Sequence, residues 1–174
     1  MITWCLEKAF HRAERRLGVS FDYLRHVARI SKRAVFKFLL IMPAASHRRK
    51  CSKEMVHAAR IVAARFEDCG PCVQIAVNIA RQDGVATDVL QKIVDSNVTE
   101  LPDDVALACR FASSVVERTG EDVALREQLR QRFSEEVIVE LALAVAVARF
   151  FPTFKRGLGY AVACSLTPVN VEGT

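Results

Sequence analysis

Glu67-Asp68-Cys69-Gly70-Pro71-Cys72-Val73-Gln74-Ile75-Ala76-Val77-Asn78 is the stretch whose reading decides the fold. Two cysteines stand three apart with Gly-Pro between them, and an apolar-periodic run follows at once. Proline suits the first position of a helix, where its missing N–H is not needed and its fixed φ helps. The pattern predicts a helix over 71–82, with Cys69 near its N-cap and Cys72 in its first turn. Residues i and i+3 share a helix face, so the two sulfurs are expected within reach of a disulfide. Unpaired N–H groups and the positive dipole end at that terminus favour thiolate over thiol. A Cys-X-X-Cys at a helix start therefore has a physical reason to be redox-active.

Outward from this turn the chain reads as helical scaffold. Ser52 is placed to cap a helix over 53–66, whose Met55, Val56, Ala59, Ile61, Val62 and Ala63 give a broad apolar face. Asp83-Gly84 closes the helix that carries the cysteines. Thr87 starts a short helix over 88–94, and Pro102 opens one over 103–118, stopped by Gly120. A polar helix over 121–132 follows. Ser134-Glu135-Glu136 puts acidic residues in the first turn of the last long helix. From 137 to 148 that helix is apolar nearly all round apart from Glu140, which predicts burial on all sides, in a core or a subunit interface. Pro152 is expected to bend or end it, with a further helical segment over 154–164 and with Lys155 and Arg156 in solvent.

Toward the N-terminus, residues 1–17 form a basic amphipathic helix, with Ile2, Leu6, Phe10 and Ala13 on one face and Lys8, Arg12, Arg15 and Arg16 on much of the other. Ser20 caps a second helix to about Ser31, and an apolar-basic segment over 34–41 ends before Pro43. The basic loop Ser46-His47-Arg48-Arg49-Lys50 has the charge to hold a phosphate or a phospholipid head group, although such runs are usually just solvated, and it has no assigned role. No stretch shows sustained strand alternation. The fold class is all-α, with seven or eight helices: a basic N-terminal helical extension over 1–50 and a helical domain over 51–174, together one compact unit.

Composition narrows the function classes. At 174 residues the chain is long enough for one domain or one subunit of an oligomer, and seven glycines and five prolines are too few for disorder or a β-sandwich. Residues 1–60 carry 14 Lys/Arg against 4 Asp/Glu, whereas 61–174 carry 11 against 16. The N-terminal third is therefore expected to meet something acidic: the acidic remainder of a subunit, anionic lipid or nucleic acid. The first is preferred and nucleic acid is not expected, since no recognition motif accompanies the charge. Six cysteines at irregular spacing, without a visible signal peptide, do not make a secreted disulfide framework. Cys5, Cys51, Cys109 and Cys164 read as buried small apolar residues, reduced in a cytoplasmic compartment. The longest apolar runs, 34–45 and 137–148, are short and interrupted by Lys37 and Glu140, so no transmembrane span is expected. Cys69 and Cys72 lack the further ligands of a zinc set, and neither metal nor cofactor is predicted.

Three features in this order and spacing resemble the carboxymuconolactone decarboxylase / AhpD-like (alkylhydroperoxidase) family, over roughly 50–165 of this chain. They are the helix entering Cys69-Gly70-Pro71-Cys72 and closing at Asp83-Gly84-Val85; Leu101-Pro102-Asp103-Asp104-Val105-Ala106-Leu107; and Phe133-Ser134-Glu135-Glu136-Val137-Ile138-Val139-Glu140-Leu141 with its apolar helix and Phe150-Phe151-Pro152-Thr153. The resemblance implies an all-helical subunit in a trimer or hexamer, with the cysteines near subunit contacts. It also implies a thiol-dependent hydroperoxide reductase or disulfide oxidoreductase, with a small hydroperoxide as substrate and a protein dithiol as electron donor. By position Cys72 would be the nucleophile and Cys69 the resolving thiol. The family's relay histidine, four residues after the second cysteine, is Ala76 here, and the relay glutamate, twelve before the first, is His57. His57 is then a candidate substitute base, and Glu67, two residues before Cys69, a second. Gln74 and Asn78 offer hydrogen bonds and nothing more. The alternative is a catalytically drifted helical oligomer that binds or scaffolds, touching a membrane surface weakly through its basic third.

Overall fold

The computed structural model describes residues 2–160 and 169–172. Its order is α1 (Ile2–Leu17), α2 (Asp22–Ile30), α3 (Lys32–Leu39), the single turn α4 (Met42–Ala45), α5 (Lys53–Phe66), α6 (Gly70–Gln82) and α7 (Thr87–Val94). A 3-10 turn at Val98–Glu100 leads to α8 (Asp103–Glu117), α9 (Asp122–Arg132) and α10 (Glu135–Gly157). The described residues contain no strand, so the chain is all-α.

The expected Ser52 cap starts α5, Ser31 starts α3 where the sequence reading places no cap, and the N-cap of α2 is Phe21 and not the expected Ser20. Ser52 Oγ accepts from the Met55 N–H (3.2 Å) and Ser31 Oγ from the Ala34 N–H (3.2 Å), each satisfying a donor that the first turn leaves unpaired. Cys69 is the N-cap of α6, with Pro71 in its first turn.

Helix α5 is the central element, packed against α6, α7, α8 and α10. Its Val56, Ala58, Ala59, Ile61 and Ala63 are fully buried. Small residues on two of its faces let α8 and α10 approach on one side and α6 and α7 on the other. One core joins Met55, Val56 and Ala59 to Leu107, Phe111, Leu129, Ile138 and Leu141. The other joins Ala58, Ile61 and Ala64 to Val73, Val77, Leu90 and Val105.

The N-terminal segment has a cluster of its own: Leu6, Phe10, Tyr23, Leu24, Val27, Val35 and Phe38 pack with Ile75 and with Phe151 and Phe154 of α10. Polar contacts fasten it further. Asn78 Nδ2 donates to Leu17 O (2.7 Å), and Gln82 exchanges hydrogen bonds with Arg16. The basic loop left without a role is wrapped round Glu140, whose carboxylate accepts the backbone N–H groups of Arg49 (2.8 Å), Lys50 (3.1 Å) and Cys51 (2.8 Å). Glu140 is buried, so the one charge interrupting the apolar run is the anchor for this loop.

Other expectations are corrected, the first being the number of α-helices, which is ten among the described residues and not seven or eight. Pro152 neither ends nor divides the last helix, which continues to Gly157; the part of the expected 154–164 segment beyond residue 160 lies outside the described residues. Thr153 Oγ1 donates to Arg149 O (2.8 Å) beside the ladder position that proline cannot fill. The left-handed residue ending α8 is Arg118 (φ 58°), two positions before Gly120. The last helix is not buried all round either, because Val139, Ala142, Ala146 and Phe150 form an exposed stripe. That helix is long and apolar enough to cross a membrane, yet it packs on α4, α5, α8 and α9 and buries Glu140 and Lys155, as a core helix does.

Candidate functional site

The turn between α5 and α6 builds the site. Asp68 adopts a left-handed conformation (φ 50°), which reverses the chain within two residues and sets Cys69 at the N-cap. The Cys69 carbonyl accepts from the N–H groups of Cys72 (2.9 Å) and Val73 (3.0 Å), fixing the first turn. Cys69 and Cys72 are thereby paired at disulfide distance, with Cα atoms 5.3 Å apart, inside the range disulfides span. Both side chains are nearly covered, Cys69 at 1 % exposure and Cys72 at 8 %.

The charged neighbour of the pair is Lys155, from the last turns of α10. Its Nζ lies 3.8 Å from Cys69 Sγ and 5.5 Å from the centre of the Tyr23 ring. Against the expectation of solvent, the Lys155 side chain is buried. The signal lies in the register. Ala144, Ala148, Pro152 and Lys155 recur at helical spacing, so a helix that runs on past Pro152 carries Lys155 inward on its buried side. Reading Pro152 as a stop hides it.

Glu67 is held beside the same turn. Arg149 Nε donates to Glu67 Oε1 (2.6 Å) and Arg156 Nη2 to the Glu67 carbonyl (2.5 Å). The carboxylate is engaged by arginine, and it clamps α10 to the α5–α6 turn. A shallow open groove lined by Ala146, Arg149, Phe150, Thr153 and Phe154 lies alongside.

His57 is elsewhere. It is buried at 2 % exposure, and its Nε2 lies 3.1 Å from Asp83 Oδ2, which also accepts from Arg48 Nη2 (3.0 Å). Asp83 caps the C-terminus of α6 while the cysteines occupy its N-terminus. At 1.5 Å per residue those ends are about 20 Å apart, so the fold does not bring His57 to the sulfurs. Burial pushes the His57 pKa down, against the hydrogen bond to Asp83, which pulls it up. Its Nδ1 is buried and finds no hydrogen-bond partner among the described residues.

The remaining polar residues of α6 serve the scaffold. Gln74 bonds Asn78 (3.0 Å) and both backbone groups of Asn170 (2.7 Å each). Ala76, one turn beyond Cys72, packs against the second core. Cys51 and Cys109 are buried thiols, each pushed up to about 12 by burial. The Cys5 side chain and Cys164 lie outside the described residues. Among the described residues no three His, Cys, Asp or Glu side chains come together as a metal set.

Fold and site together define an all-helical protein with a cysteine pair closed across a helix N-terminus beside a buried lysine. Compared with models of protein families, with curated proteins and with solved structures, the chain matches none.

Proposed function

We propose that this protein is a thiol–disulfide oxidoreductase of the AhpD-like type, cycling Cys69 and Cys72 to reduce a hydroperoxide or to exchange with a protein dithiol. The observation that supports it is the buried Lys155 ammonium 3.8 Å from Cys69 Sγ at the N-cap of α6. With the pair reduced, ammonium and helix terminus both favour charge on Cys69. Cys72 is the less covered residue of the pair and takes the substrate-facing role, with Cys69 resolving.

In the peroxide half of the cycle the Cys72 thiolate attacks the peroxide, the O–O bond breaks, and the alkoxide leaves as alcohol with one proton, giving a Cys72 sulfenic acid. The Cys69 thiolate then attacks Cys72 Sγ, hydroxide leaves as water with a second proton, and the disulfide closes. A partner dithiol returns the two electrons. The exposed stripe Val139, Ala142, Ala146 and Phe150 supports a homo-oligomer. Buried free Cys51 and Cys109 support a reducing compartment.

A second reading, a drifted helical binding or scaffold protein, is favoured by the near-complete cover of both sulfurs and by Ala76 where the family's relay histidine would stand. The pH dependence of Cys72 alkylation in reduced protein, with Cys72→Ser as control, separates the two. A thiolate titrating below about 8.5, with one disulfide formed per chain on adding peroxide, supports the enzyme. A thiol titrating at or above that value, with no disulfide formed, leaves the scaffold.

A further inference from the structure

We infer that the solvent face of α3 is a docking surface for an anionic phospholipid bilayer, independent of the cysteine site. Residues 23–53 contain nine Lys/Arg and no Asp or Glu. Within this stretch four large apolar side chains are left in solvent: Ile30 at 73 % exposure, Phe36 at 50 %, Leu40 at 68 % and Met42 at 46 %. Apolar groups exposed together amid unrelieved positive charge are the composition of an interfacial helix.

The geometry of α3 puts Phe36 and Leu40 on one face, with Ile30 just before the helix and Met42 just after it in the chain. Val35 and Phe38 are buried in the N-terminal cluster, which fixes the rotation of the helix. At about 100° per residue, Phe36 and Leu40 fall about 40° apart on the opposite side. On the same projection Lys32 flanks Phe36 by about 40°, and Arg33 and Lys37 lie beyond Leu40. An apolar centre is thus bordered by cations on both sides. Nor is that charge spent internally: Arg29, Lys32, Arg33 and Lys37 have no acidic partner within 4.0 Å among the described residues, whereas Arg25 is held by Glu7, Glu14 and Asp22, and Arg48 by Asp83.

A bilayer surface matches this arrangement in depth as well as sign. Long cationic side chains reach the phosphate plane while their stems and the apolar residues between them sit lower, at the acyl boundary. A nucleic-acid backbone would satisfy the cations but leave Ile30, Leu40 and Met42 in water.

The test is co-sedimentation of the full chain with vesicles of phosphatidylserine and phosphatidylcholine, against phosphatidylcholine alone. Wild type is expected on the mixed vesicles and absent from the neutral ones. Each cation near an anionic surface contributes about a fivefold change in partition, so the triple variant K32E/R33E/K37E is expected to lose about 100-fold or more. Phe36→Ser with Leu40→Ser leaves the charge unchanged and is expected to cost about tenfold. All five positions are exposed, so unchanged far-ultraviolet circular dichroism is expected of each variant. A protein carrying Trp4→Phe and Phe36→Trp has its single indole on this face and supplies a direct reading: its emission shifts to the blue on mixed vesicles. Absence of wild-type binding, partition unchanged in either multiple variant, or unshifted emission from the relocated indole overturns the proposal. So does an oligomer in solution that the Phe36→Ser, Leu40→Ser protein dissociates, because a second copy then covers the face.

Discussion

Lys155 Nζ and Cys69 Sγ lie 3.8 Å apart, 86 residues from each other in the chain, and both side chains are buried. An ammonium at that distance favours the charged sulfur, so it acts on reduced Cys69 and not on the closed pair. In a Cys72→Ser background, Lys155→Met keeps the length of the side chain and removes the charge. Alkylation of Cys69 near neutral pH is expected to slow about tenfold, as for loss of an opposite charge within 4–6 Å. Melting of the oxidised protein serves as the control for folding. Equal rates in the two proteins would remove Lys155 from the mechanism.

The contact between His57 and Asp83 makes a pH prediction of definite sign. His57 is held below its ordinary value by burial, so the unfolded chain binds a proton that the native one refuses. Stability from this source is complete above about 6.5 and declines as pH falls from there toward the folded value, by at most about 1.4 kcal/mol per unit for one proton. Denaturant unfolding between neutral and mildly acidic pH measures it. His57→Gln should flatten that slope and leave the cysteine chemistry intact, because His57 sits at the opposite end of α6.

Glu140 ties the basic loop to the core. Burial raises its pKa, but the backbone N–H groups of Cys51, Lys50 and Arg49 outweigh burial and hold it below the usual carboxylate range. Glu140→Gln would turn an amide N–H₂ toward N–H donors, with an expected loss of about 2–4 kcal/mol from buried donors left unsatisfied. Urea denaturation gives the loss. In wild type the carboxylate's contribution is present above about 4.5 and disappears as pH falls through the depressed value. Stability insensitive to Glu140→Gln would show that the loop is held by something else.

Cys51 and Cys109 should be inert. With both thiols pushed up to about 12 by burial, native reduced protein at mildly alkaline pH should leave these two unmodified by iodoacetamide until it is denatured. Peptide mass mapping after timed quenching reads the result directly.

The Cys-X-X-Cys turn, its helix to Gln82 and the Ser52 cap were legible because each rests on chemistry a few residues long: proline at a helix start, i to i+3 adjacency, a serine oxygen above free N–H groups. The all-α class was legible for the same reason, since helical period is local. The candidate bases were not. His57 and Glu67 entered by their sequence offset from Cys69, and offset says nothing of which end of α6 an α5 residue meets.

What the sequence alone determined is the all-α class and the placing of Cys69 and Cys72 on one face of a helix N-terminus. The tertiary structure decided who faces whom: Lys155 against Cys69, Arg149 on Glu67, Asp83 on His57, and three loop N–H groups on Glu140. Backbone hydrogen bonds within a helix close over four residues and are written in neighbouring side chains. These charge pairings close over 26 to 91 residues and exist because α5, α6 and α10 are packed together by apolar surface that specifies burial without naming a polar partner.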